Sequence, residues 1–242
     1  GAYANYPGDT SSNSIDGDVW LNLANGVDTT VSAGDWTFET ILHESGHAIG
    51  LSHPGDYNAG PGVSITYARS AQFMQDTNQY SVMSYFTGDY TGQYVTSNIS
   101  TPLMLDIYEI QLLYGANTST RSSDTDYGFN NNTGSSIYAF STGNIPFFCI
   151  WDGGGNDTLD CSSYAVNQNL NLNAASFSDI GGGVDNISIA FGASIENADG
   201  GLGNDTILGN DANNNLEGNA GNDTLDRGLG DDTLIGGGGS DT

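Results

Sequence analysis

The chain has 242 residues, room for one large or two ordinary domains. Its 29 acidic residues face three arginines and no lysine, a formal charge of −26. That balance argues against nucleic acid and anionic membrane surfaces as partners, since both need cationic contacts. It also opposes compaction unless cations neutralise it, so calcium is an expectation before any motif is read. With 35 glycines, five prolines and 37% hydrophobic residues, a core is feasible and wholesale disorder is not implied. No stretch approaches a membrane span and no secretory signal opens the chain, so no membrane anchoring is expected.

Gly1 to Pro7 reads as the interior of a domain, and Ile15 to Leu23 as a strand with Val19, Leu21 and Leu23 on one side. A helix is expected from about Asp35 to Ile49, capped by Asp35 and covered by Trp36, Phe38, Leu42 and Ile49. Pro54 to Gln79 is mostly polar, with Gly60-Pro61-Gly62 as a turn signal, and should be a loop region. A second helix opens at Thr101-Pro102, with a cap candidate and proline at its first position. It carries Leu103, Ile107, Ile110, Leu113 and Tyr114 and stops at Gly115.

All three histidines of the chain fall in His43-Glu-Ser-Gly-His47-Ala-Ile-Gly50-Leu-Ser-His53. On a helix His43 and His47 stand at i and i+4, so both imidazoles leave one face and can reach one zinc ion. Glu44 points beside that metal, where it can hold a water and take its proton as general base. Gly50 can end the helix in a left-handed conformation and let the chain return His53 as third ligand. Three protein nitrogens leave a coordination position open, which suits catalysis rather than a closed structural site.

From Gly200 the chain repeats every nine residues on the pattern GGxGxDxUx, where U is a large apolar residue, with further turns starting at Gly209, Gly218, Arg227 and Gly236. Ile207, Leu216, Leu225 and Leu234 are nine apart, so one apolar side chain per turn should point inward in a parallel β-roll. Glycines free loop carbonyls to face a cation and the aspartate adds a hard, charged oxygen, which suits Ca²⁺. The expected ligand positions are Gly201, Gly203 and Asp205; Gly218, Ala220 and Asp223; and Gly228, Gly230 and Asp232. Asp205 and Asp223, eighteen residues apart, should share a row. Asn214 replaces the acid in one turn and Arg227 replaces a glycine in another, which puts an ion at the former in doubt. An earlier half-turn runs from Asp152 to Leu159. Cys149 and Cys161 leave two readings open, a disulfide or two buried thiols.

These motifs carry a resemblance. The extended histidine motif is the metzincin signature, and HESGHAIGLSHPGDYNAG resembles the serralysin branch of secreted zinc metalloproteases with calcium-binding RTX repeats. Ser81-Val82-Met83-Ser84-Tyr85 resembles the Met-turn of that family. The resemblance implies that Met83 floors the zinc site and that Tyr85 is both an extra zinc ligand and a catalytic group able to swing away. It also implies two further calcium sites. One takes the backbone of Arg121, Ser123 and Thr125 with Asp152, Gly154 and Asp157, the other Gly155, Asp157, Ser194 and Glu196. Leu113-Tyr114-Gly115 is similar to the family's closing helix, placing the boundary near 117.

The resulting expectation is an α+β metzincin zinc-protease domain over residues 1–117, N-terminally incomplete, followed by an all-β parallel β-roll over 118–242, C-terminally incomplete. The expected activity is endopeptidase action on extracellular proteins, with one catalytic Zn²⁺ and several structural Ca²⁺. A secreted monomer with protein or peptide substrates is implied, with a protein inhibitor as a family partner. The resemblance also implies upstream elements near the cleft, where a substrate adds as an edge strand, and a C-terminal export signal outside these residues. The competing reading is a calcium-binding adhesion or secretion module without catalysis.

Overall fold

The computed structural model describes residues 2–8, 17–22 and 30–242. Strands β1 (Ala2–Ala4) and β2 (Val19–Leu21) pair antiparallel, with Ala2 opposite Leu21, and β1 lies beside helix α1 (Trp36–Ala48). The expected strand is therefore short; Ile15 and Leu23 lie outside the described residues. Asp35 is the residue before α1, but its carboxylate accepts from Ser32 N at 3.0 Å rather than from the helix. Trp36 and Ile49 are exposed, at 53% and 41%, so they do not cover the helix. Its inner face is covered by Met83 and Leu51, which approach at Gly46.

Short helix α2 (Tyr67–Ser70) interrupts the loop region, and α3 spans Met104–Tyr114. α3 begins later than the Thr101-Pro102 signal suggests, for a tertiary reason. Thr101 Oγ1 is taken by Cys149 N at 2.8 Å, and Asp106 instead closes the helix start by accepting from Leu103 N at 2.8 Å. Leu113 and Tyr114 are exposed, leaving the upper half of α3 to bury Ile107 and Ile110.

The second half is a roll of three-residue strands. One sheet orders β12 (Thr224–Asp226), β10 (Thr206–Leu208) and β6 (Asn169–Asn171). The other orders β13 (Thr233–Ile235), β11 (Asn215–Glu217), β9 (Asn197–Asp199), β5 (Thr158–Asp160) and β3 (Asp126–Gly128). All these pairs are parallel. Among the nonapeptide turns Thr206 lies opposite Thr224 and Asn215 opposite Thr233, so neighbouring strands there are two nine-residue turns apart. Successive turns thus alternate between sheets, which is why the apolar residue of every turn reaches one shared interior. Ile207 and Leu216 are fully buried there, Leu225 only partly, and Leu234 is 41% exposed. Leu234 is in register with Leu216 and so leaves the same face, but it lies on β13 at the end of its sheet and stays partly exposed.

A third sheet, with β4 (Phe148–Ile150), β8 (Ile187–Ile189) and β7 (Phe177–Ser178), joins the halves. Phe147, Cys149 and Ala190 from this region share a core with Val82, Met83, Ile99 and Leu103. Cys149 and Cys161 are free and buried, which resolves the open pairing in favour of thiols.

Candidate metal centres

Helix α1 ends where its sequence requires. Gly50, at φ +107°, donates to His47 O at 3.0 Å while Leu51 N reaches back to Gly46 O at 2.9 Å, the paired bonds of a Schellman stop. That reversal carries His53 back over the helix. His53 Nε2 lies 3.2 Å from His43 Nε2 and 3.1 Å from His47 Nε2. Two nitrogens each about 2.0–2.1 Å from a tetrahedral zinc would sit roughly 3.3 Å apart, close to this spacing.

The other ring nitrogens fix the tautomers. His43 Nδ1 lies 2.8 Å from Val82 O, His47 Nδ1 2.8 Å from Leu51 O and His53 Nδ1 2.7 Å from Tyr57 O. A carbonyl only accepts, so each Nδ1 carries the hydrogen and each Nε2 presents a lone pair to the other two. Three converging lone pairs repel unless a cation stands among them. The donor set therefore fits a divalent, nitrogen-preferring metal such as zinc. Burial pushes the His43 imidazole down to about 4, further lowered by His47 and His53 and opposed by the Val82 carbonyl. Burial likewise lowers His47 and His53, which favours the neutral form that binds metal.

Glu44 is buried on the same helix, and desolvation lifts its carboxyl above the ordinary range. The Tyr85 ring lies 4.5 Å from that of His53 and 5.7 Å from that of His43. Burial raises its phenol, and the Ala59 backbone N–H facing it works in the opposite direction. Met83 is 1% exposed beneath the helix, and a Cβ on Gly46 would fall 2.5 Å from its Sδ. A helix-interior glycine, ordinarily a cost, is here what lets Met83 pack against the helix between His43 and His47.

Two buried aspartates hold this arrangement, and neither is visible in the motif. Asp106 accepts from Ser81 Oγ at 2.6 Å and Val82 N at 2.8 Å, fixing the turn whose Val82 carbonyl orients His43. Asp76 Oδ1 accepts from Tyr57 OH at 2.7 Å and Ser84 Oγ at 2.8 Å, tying the His53 loop to the segment bearing Tyr85. The carbonyls of Val82, Leu51 and Tyr57 leave no sequence signal at all, because every residue has one.

The roll supplies a second kind of site. Asp205 Oδ1 accepts from Gln168 N at 2.6 Å, and Asp223 Oδ1 accepts from Asp205 N at 2.8 Å, so Asp205 and Asp223 do stand in one row. Gly201 N donates to Asp205, and Ala220 N donates to Gly201 O at 3.2 Å. Gly203 packs under Gly221, whose positive φ and missing Cβ let the loops stack. A Cβ on Gly218 would lie 2.5 Å from Asp223 Oδ2. Gly228 and Gly230 stack on Asn210 and Ala212, and Asp232 Oδ1 accepts from Asn214 N at 2.8 Å.

At the earlier half-turn Asp157 Oδ1 accepts from Thr125 N at 2.8 Å, Asp157 N donates to Glu196 at 2.9 Å, and Ser194 Oγ donates to Glu196 at 2.5 Å. The Ser123 carbonyl crowds Gly155, and Gly154 N caps Asp152 at 2.9 Å. Arg121, at φ +47°, directs its side chain away to Tyr127 and Trp151 O. Ser123 and Gly155, Thr125 and Asp157, and Asp157, Ser194 and Glu196 are thus neighbours in space.

The oxygens Asp157 Oδ2, Asp223 Oδ2 and Asp232 Oδ2 are buried without a partner among the described residues. Burial lifts the Asp157 carboxyl to about 7, helped by the Asp152 and Glu196 carboxylates. Hard, charged oxygens among loop carbonyls fit calcium. Asn214 shows the alternative, since its Nδ2 donates to Glu196 O at 2.9 Å and Asn210 Oδ1 at 3.0 Å. That turn satisfies itself with an amide.

The structure thus joins a three-histidine cluster beside a buried carboxylate to a parallel β-roll of aspartate-bearing loops. Residues 116–242 match the family described as Peptidase M10 serralysin C terminal, and the chain belongs to that family. It is 52% identical over 202 residues to Metalloprotease AprA of Pseudomonas entomophila (strain L48), covering 80% of this chain and 41% of that protein. It is 47% identical over 213 residues to Serralysin B of Dickeya chrysanthemi, covering 86% of this chain and 43% of the relative. To Serralysin of Photorhabdus laumondii subsp. laumondii it is 52% identical over 197 residues, covering 80% and 41%. The chain therefore spans about two fifths of the length of these curated relatives. Among the described residues no helix is long and apolar enough to cross a membrane.

Proposed function

We propose that the chain is a secreted, zinc-dependent endopeptidase acting on proteins or peptides, with residues 1–117 a metzincin-type catalytic domain and 118–242 a calcium-stabilised roll. The observation that carries this reading is the convergence of three Nε2 lone pairs whose Nδ1 hydrogens are already engaged by backbone carbonyls. His43, His47 and His53 would hold the zinc, with Tyr85 as the additional ligand. Bound zinc supplies Lewis-acid polarisation of a carbonyl and acidifies water.

The chain's own groups do the proton work. Glu44 is desolvated, so its carboxylate is a stronger base than in water. It takes the proton of the attacking water and returns it to the leaving amine nitrogen. Tyr85, on the cleft wall beside His43 and Glu44, donates a hydrogen bond to the oxygen that gains charge. Calcium would occupy the rows built on Asp157, Asp205, Asp223 and Asp232.

Glu44→Gln keeps the size and removes the base. It should retain one zinc per chain while kcat/KM on casein falls about 10²–10⁴-fold. Full zinc with near wild-type hydrolysis would remove Glu44 from the reaction.

A further inference from the structure

The cleft beside the histidines, about 690 Å³, has a composition that the peptidase reading leaves unused. Its walls carry the rings of Trp36, Tyr67, Phe86 and Tyr90. Its lining includes Glu39, one helical turn before His43. Tyr67 and Tyr90 stack at 4.3 Å and Phe86 meets Tyr67 edge-on at 5.4 Å, so the aromatic wall is preassembled. Glu39 and Glu44 are the carboxylates of the lining, and no arginine lines it. The chain has no lysine, and among the described residues none of its arginines, Arg69, Arg121 and Arg227, lines the cleft with Glu39. Arg69 is exposed on α2. Burial raises the Glu39 carboxyl, and the Ile99 backbone N–H offsets only part of that.

A partly desolvated carboxylate among aromatic faces is complementary to a long cationic side chain. The guanidinium or ammonium would meet the carboxylate, and the stem and charge would lie against the rings. Resting on the peptidase reading, we infer that this cleft is a specificity pocket and that Glu39 selects substrates with arginine or lysine next to the scissile bond. The acidic chain as a whole favours approach of the same substrates.

The test uses N-acetylated hexapeptides identical but for arginine, lysine or leucine at successive positions flanking the scissile bond. With the zinc- and calcium-loaded chain, kcat/KM at one position should favour arginine over leucine by about tenfold or more. Glu39→Gln should bring that ratio toward one, and Glu39→Arg should invert it in favour of a glutamate peptide. An arginine-to-leucine ratio near one, or one unchanged in Glu39→Gln, overturns the inference. Calorimetric binding of the same peptides to the zinc-loaded Glu44→Gln chain gives a readout without turnover. Tighter arginine binding that Glu39→Gln abolishes supports the pocket even where no peptide is cleaved, an outcome that would sink only the peptidase reading. Cleavage with no preference and equal binding would sink only the pocket.

Discussion

Removing calcium is expected to unfold the roll. Its strands are three residues long and each nonapeptide turn contributes at most one large apolar side chain to the interior, so the sheets gain little without their loops. Those loops place Asp157, Asp223 and Asp232 with an oxygen buried and unpartnered, and a buried charge without a partner is a large cost. Asn214 marks the contrast, an amide donating where the carboxylate needs a cation. At a thousandfold excess over Kd, one ion adds about 4 kcal/mol to stability. In a protein of this size about 1 kcal/mol moves Tm by about 2–4 °C, so a single site is worth roughly 8–16 °C. Circular dichroism melts in calcium and in a calcium chelator should differ by at least that much, with the β signal lost and restored by calcium. Magnesium, which demands tighter octahedral geometry, should not restore it. Superimposable melts would mean that the aspartates are satisfied without metal.

Asp106→Ala should be the most damaging substitution outside the histidines. It strands Ser81 Oγ, Val82 N and Leu103 N, all facing a buried carboxylate, at an expected cost of about 3–5 kcal/mol. It also frees the Val82 carbonyl that orients His43, so zinc affinity should fall about 10–100-fold, as for other lost supports of a ligand. Denaturant melts and zinc titration in parallel would register both; a loss of stability with zinc affinity intact would confine Asp106 to capping α3. Burial pushes the Asp106 carboxyl from 3.8 up to about 6, against its three donors. The folded chain therefore holds this proton to higher pH than the unfolded one, and the contribution, full below about 4, is lost as pH rises through about 6. Asp106→Asn should flatten stability across that window.

Much of this was legible because it is local. The i, i+4 histidines, the glycine stop and the nine-residue apolar period each encode geometry within a few residues of themselves. Asp205 and Asp223 could be paired by counting, since two turns return the chain to the same sheet. What escaped was set across the fold. Thr101 reads as a cap, yet Cys149 claims its hydroxyl, and Asp106 supplies the closure. Trp36 reads as core, yet it lines the cleft. Asp76 links loops that only folding brings together, and the three acceptor carbonyls have no side-chain identity to read.

The central claim is tested most directly by metal content and casein hydrolysis on one preparation. Both are followed through dialysis against a zinc-selective chelator with calcium kept saturating. One zinc per chain, with hydrolysis that disappears and returns with zinc, is the predicted result. Several calcium ions with no zinc and no hydrolysis would contradict it, and would make the chain a calcium-folded module.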